Sequence, residues 1–347
     1  MVNVNLLYKS TLLLLLGTLG TIILVYASSF LIPLAFGALF ALFTQPLNQF
    51  LEHKGFSKTI VSCIAVLTIS FAFIALGASI AHQIISFSSP KNQLRVKLEK
   101  KLDQIQHIIE SKLAISPTGQ TEYIKARAKS FIESSGNIVI QMISSTTGGL
   151  MSFFLIFVYL FLFVYYKSHL YKFLLYSTQP SHHARLETIL VQAEHVTARY
   201  LWGMTVVALI LTCITFIELF FIGIPYAFLW AVLAGLLNCV PYIGILISFA
   251  LPAITALVTD DSLSSFILVA ACFSFNQFLE GNILRPSIVG SQLHTNALAS
   301  LTAVVAGGLI WGVPGLILFM PLLGIVKVIC DNYESLKPIG YLIGREK

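Results

Sequence analysis

Between residues 275 and 290 the chain reads FNQFLEGNILRPSIVG, and within ten positions it carries Asn276, Gln277, Glu280, Asn282 and Arg285. The run just ahead, residues 266–273, is wholly apolar. Carboxamides, a carboxylate and a guanidinium can hold a small polar solute or an ion by hydrogen bonding, and a carboxylate can also take up and release a proton. A second carboxylate, Glu218, lies near the end of an earlier apolar run, residues 201–222, and Asn238 interrupts a third. Bond-making chemistry has no comparable signal. The chain lacks a G-x-S-x-G elbow, an H-E-x-x-H pair and a phosphate-binding P-loop, so it reads as neither an enzyme nor a self-contained ATP-driven pump. No cofactor or metal site is indicated.

The elements that must position these groups are set by composition. Of 347 residues 57% are hydrophobic and 10% charged, with a mean hydropathy of +0.86, which leaves too few polar side chains to coat a soluble globule. The chain reads as an integral membrane protein. Its net charge of +6 comes from Lys and Arg between apolar runs, where they set topology; they form no patch beside stacking aromatics, which argues against nucleic acid. The five cysteines sit one per apolar segment with no C-x-x-C pair, and read as small buried hydrophobes.

Runs of spanning length occur at residues 11–32, 60–87, 150–166, 201–222 and 266–284, the last with Glu280 inside it. Residues 33–51 form a weaker span broken by Gln45, Pro46 and Asn48, and the first run reads as a retained helix, not a cleaved signal. Short basic loops around Lys54 and Lys58, around Lys167, Lys172 and Arg185, and from Lys327 to Lys347 place both termini in the cytoplasm. The sequence divides into N-terminal membrane helices (1–87), an extramembrane arm of two amphipathic helices (88–149), a fourth span with a cytoplasmic amphipathic helix (150–200), a core (201–330) and a cytoplasmic tail (331–347). The arm is either self-packed or a subunit-contact surface.

Residues 227–258 are too many for one straight crossing and too few for two. In their middle stands NCVPYIG, where Asn238, Pro241, Tyr242 and Gly244 would break a helix. Residues 297–329 repeat the pattern around WGVPG, with Gly312, Pro314 and Gly315 at the break. Both read as re-entrant or broken hairpins whose turns are buried in protein. Each follows one full span, and counted from residues 201 and 263 both Glu218 and Glu280 fall at the eighteenth position, with Pro225 and Pro286 shortly after. That is the layout of an inverted repeat. The expected fold is therefore an all-α polytopic membrane protein of about six full spans plus two hairpins.

GIPYAFLWAVLAGLLNCVPYIG, then FLEGNILRPSIVG, then GGLIWGVPGLILFMPLLGIVKV, in that order, resemble the AI-2E transporter family of PerM-like permeases. The resemblance covers the whole chain in layout, with firm motifs between about residues 199 and 328. It implies a multi-span carrier of a small polar solute that forms homo-oligomers, in some members an autoinducer-2 exporter and in others a sodium/proton exchanger. By position it puts one hairpin turn at Pro241, Tyr242 and Gly244, a polar motif at Glu280, Gly281 and Asn282, and a second turn at Gly312, Pro314 and Gly315. The chain departs from the family at LWGM, residues 201–204, where a polar R-G-Q is usual and only Gly203 is kept, and at Glu218, where an apolar residue is usual.

The leading expectation is a secondary transporter in the inner membrane, exporting a solute such as autoinducer-2 with proton coupling through Glu280. The alternatives are sodium/proton exchange through Glu218 and Glu280, and a non-transporting scaffold that works through the arm. For Glu280 and Arg285 two roles stand open: pairing or lining a solute path, and anchoring the helix end at the interface.

Overall fold

A computed structural model describes residues 4–88, 146–238, 243–259, 263–290 and 293–345. Most of the arm, residues 89–145, lies outside the described residues, as do Pro241 and Tyr242. The described chain is helical. The helices are α1 (Val4–Tyr26), α2 (Ser28–Phe43), α3 (Gln45–His53), α4 (Lys58–Ser88), α5 (Thr146–Tyr165), α6 (Lys167–Tyr176) and α7 (His183–Ile222). The short α8 (Ala227–Leu237) and α9 (Ile243–Thr259) follow, then α10 (Ser264–Leu279), which continues as a π-helix over Glu280–Val289. The chain ends with α11 (Ala297–Trp311), α12 (Val313–Asn332) and α13 (Lys337–Ile343). Four helices among the described residues are long and apolar enough to cross a membrane, and six do so if each of two sharply bent pairs counts as one span. This is a multi-pass, all-α membrane protein.

Contacts group the chain into two compact units. The first holds Met1–Ala72, Ser152–Val206 and Arg285–Lys347, and the second Phe73–Met151 and Val207–Leu284. In the first unit Val61, Ala65 and Ile69, one helical turn apart on α4, bury against Leu160 and Val164 of α5. In the second, Leu219, Trp230, Ala253, Ala256 and Val269 form the core.

Three details differ from the sequence reading. The first helix bends by 85° at Ala27, ahead of the weak second span. Pro33 lies six residues further on, inside α2, and does not end that helix. The amphipathic helix expected to end at residue 200 and the span expected from 201 are one continuous helix, α7, of 40 residues. No Gly or Pro separates them, and LWGM leaves the helical pattern intact. Of the cysteines read as buried, Cys63 and Cys213 are instead exposed, Cys272 is half-buried and Cys330 is buried. On apolar helices an exposed thiol meets lipid at little cost.

Both hairpins form as pairs of packed helices. In the second, Gly312 turns the chain with φ +62° and ψ −138°, backbone that a Cβ strains. A Cβ on Gly315 would overlap the carbonyl of Gly307, so α11 and α12 touch backbone to backbone. The limbs are unequal: α12, at 20 residues, is long enough to cross the bilayer alone, whereas α11 has 15. Asn296 caps α11 by accepting from Ala299 N–H at 2.8 Å. Its Nδ2 meanwhile donates to the carbonyls of Leu342 and Gly344, at 2.7 and 3.0 Å, which ties the tail to the start of the hairpin.

The helix breaks free backbone carbonyls, and indoles take them up. Trp311 Nε1 donates to Leu24 O at 2.8 Å beside the bend at Ala27, while the ring stands edge-on to Phe319. Replacing Trp311 by Phe keeps the ring and removes the donor. It should cost about 1–3 kcal/mol, read as a lower unfolding midpoint in detergent. Gly315→Ala should do more, because backbone must move: loss of most folded, monodisperse protein is expected in size-exclusion chromatography of the extracted protein.

Candidate functional site

The second unit contains a cleft of about 420 Å³. Its position follows from the first hairpin. Helix α8 ends at Asn238, and Gly244 starts the return helix so close that a Cβ there would overlap the carbonyl of Leu237. The wall opposite is α10, where Ala270, Phe273, Gln277 and Glu280 recur at helical spacing and so share one face. Phe249 and Phe273, edge to face at 5.8 Å, supply the apolar part of the lining. Thr215, Asn238, Ser248, Ser274, Asn276, Gln277 and Glu280 supply the polar part, and among the described residues the lining contains no Lys, Arg or His.

Glu280 is 4% exposed and Asn238 6%. A carboxylate accepts hydrogen bonds and does not donate them, which decides how the neighbouring amide must turn. With its nitrogen facing Glu280, Asn238 donates to Oε1 at 2.7 Å and Oε2 at 3.1 Å. The reverse orientation would set carbonyl against carboxylate and suits only a protonated Glu280.

A second carboxylate–carboxamide pair lies one helical turn away. Asn276 Nδ2 donates to Glu218 Oε2 at 2.6 Å and, at 3.3 Å, to Thr215 Oγ1. Asn276 is 5% exposed, and its Oδ1 is buried with no hydrogen-bond partner among the described residues. A buried acceptor left without a donor is uncommon.

Glu280 is also the residue at which α10 widens. Pro286 has no N–H to give the preceding turn, and Gly290 N–H reaches back five residues to Arg285 O at 2.8 Å. Segments of this kind collect at functional sites.

The structure thus gathers Glu280, Asn276, Gln277 and Asn238 at one cleft, with Glu218 bonded to it through Asn276. Asn282 is exposed and turns its amide back to Phe278 O at 3.0 Å. Arg285 is half-buried and belongs to the first unit, as do Gly312, Pro314 and Gly315 of the other hairpin. Three members were missed: Ser274, whose hydroxyl donates locally to Ala270 O at 2.7 Å, and two more. Thr215 is signalled by its place three residues before Glu218, on the same face. Ser248 gives no such signal: its hydroxyl donates locally to Ile245 O at 3.0 Å, as hydroxyls in apolar helices commonly do.

Polytopic helices, broken hairpins and a polar cleft inside the bundle define a membrane transport protein. The AI-2E family transporter profile matches residues 12–335, and the chain belongs to that family. It is 26% identical to YhhT of Escherichia coli (strain K12) over 92% of this chain and 89% of that one. To YrrI of Bacillus subtilis (strain 168) it is 32% identical over 47% of this chain and 45% of that one. To the AI-2 transport protein TqsA of Escherichia coli (strain K12) it is 28% identical, over 42% of each chain.

The Asn238–Glu280 pair can be measured by itself. Asn238→Leu takes the Asn238 donor away from a buried carboxylate, whereas the same change made together with Glu280→Leu removes both partners. The double variant should therefore cost less than the sum of the singles, by about 0.5–3 kcal/mol in unfolding in mixed micelles.

Proposed function

We propose that the protein is a secondary transporter that exports a small polar solute such as autoinducer-2 across the inner membrane, coupled to protons through Glu280. The observation that carries this reading is a buried carboxylate on the wall of the cleft, held by the amide at the end of a broken helix. An ionisable side chain in a spanning segment is costly, and where one persists it serves a solute or proton path. Amides, hydroxyls and an aromatic pair around 420 Å³ suit a small hydroxylated molecule, because each of its O–H groups can find an acceptor or donor. The name of TqsA supports the choice of autoinducer-2 as the first solute to try. The turns at Pro241, Tyr242 and Gly244 and at Gly312, Pro314 and Gly315 would supply backbone groups to the path. Basic loops support cytoplasmic termini, and the family resemblance supports homo-oligomers.

A second reading, sodium/proton exchange, draws on Glu218, which adds a carboxylate beside the first. Flux in proteoliposomes separates the two. With a proton gradient imposed, autoinducer-2 efflux should be gradient-dependent in the wild type and fall at least about tenfold in Glu280→Gln, with insertion unchanged. Sodium-stimulated proton movement without solute efflux would instead select exchange.

A further inference from the structure

Asn276 presents a question that the transport reading leaves open: a carboxamide 5% exposed on the cleft wall spends both its donor contacts on Glu218 and Thr215, while its acceptor has no partner among the described residues. Nothing in an amide itself fixes which end faces which way, since rotation by half a turn exchanges N and O with little change of shape. The neighbours decide. Thr215 is indifferent, because a hydroxyl both donates and accepts. An ionised Glu218 is not, because it only accepts and so holds the nitrogen toward itself. A protonated Glu218 carries one donor, and that donor can meet the amide oxygen.

We propose that Glu218 is the residue that sets the hydrogen-bonding polarity of the cleft, by fixing the orientation of the Asn276 amide when ionised and releasing it when protonated. Asn276 then determines specificity for solute, and Glu218 acts through it as a positioning residue. This deepens the transport reading and rests on it for the identity of the solute, although not for the coupling between the two side chains. With Glu218 ionised, the unpartnered Oδ1 is an acceptor reserved for a solute hydroxyl. With Glu218 protonated, the amide no longer holds that acceptor in place, and a hydroxylated solute binds more weakly.

Other groups that can influence Glu218 are few. On its own helix the hydrogen-bonding neighbour is Thr215. On α10 they are Asn276 and the Cys272 thiol one turn before it, with Glu280 one turn beyond Asn276. Cys272 is a weak donor and acceptor, and as a thiol it carries no charge that would hold the amide. Glu280 has its own amide in Asn238. The two carboxylates are distinguishable because they act on different quantities: Glu280 on the rate of coupled transport, Glu218 on affinity.

The test uses the full chain in liposomes with two readouts. In the first, the half-saturation concentration for autoinducer-2 efflux is followed against pH. The wild type should rise about tenfold toward acid pH, the worth of one well-placed hydrogen bond. In both Glu218→Gln and Asn276→Leu the half-saturation concentration should no longer vary with pH. A Glu218→Gln protein that keeps the wild-type pH profile overturns the proposal. The second readout needs no transport: infrared difference spectra between neutral and acid pH, with the asparagine side-chain carbonyl carbon-13 labelled. The wild type should show a new carboxylic-acid band together with a shift of a labelled carbonyl, and Asn276→Leu should lose the shift and keep the acid band. An acid band without any shift that depends on Asn276 also overturns it. Coupled bands without flux would uphold the amide orientation and remove autoinducer-2 as the solute.

Discussion

Inside a bilayer no water is available to take up a stray N–H or C=O, so every interruption of a helix must be resolved by the protein itself. This chain interrupts its helices repeatedly, and its three tryptophans each attend to one break. Trp311 donates to Leu24 O beside the bend of the first pair, and Trp202 to Phe43 O at 3.0 Å, where α2 ends. Trp230 donates to Pro225 O at 3.2 Å, ahead of the first hairpin. An indole suits this duty because its single donor sits on a large apolar body, so the ring packs while the N–H caps. Trp202 does both at once, stacking on Phe43 at 4.5 Å.

The same constraint explains why small residues stand where the hairpin limbs meet. Helices in lipid gain little from hiding apolar surface and hold together by close packing. Gly307 and Gly315 let two backbones touch. Hairpins secured in this way can end in mid-protein and place side chains such as Asn238 where a continuous helix would present only its flank.

Much of this was legible in the sequence because breaks are written in residues that force them. Pro and Gly in NCVPYIG and WGVPG located both hairpins, and Glu280 stood out as a charge with no reason to be in an apolar span. What was not legible depends on three-dimensional partners. The bend at Ala27 falls where no Gly or Pro stands, and α7 runs on through the point where charge gives way to apolar sequence. The π-helix that begins at Glu280 follows from Pro286, six residues on, and a proline alone does not say whether a helix will end, kink or widen. Asn276, Gln277 and Asn282 looked equivalent as a cluster, yet the face of α10 sends the first two to the cleft and the third to the surface. Nor does sequence tell which end of an amide faces its neighbour, the property on which the chemistry of the cleft turns.

That property has a cause in the polarity of the broken helix. Asn238 is the last residue of α8, and a helix C-terminus presents carbonyls and partial negative charge, a poor neighbour for a carboxylate. The return helix α9 begins beside it and brings the N–H groups of its own first turn. At the carbonyl end of α8 the Asn238 side chain brings a donor of its own, which turned toward Glu280 meets the carboxylate. Carboxylates on α7 and α10 and both half-helix ends of the first hairpin thus belong to one unit. The direction in which α8 points therefore decides that Glu280 is met by a side chain of that helix and not by its backbone N–H groups.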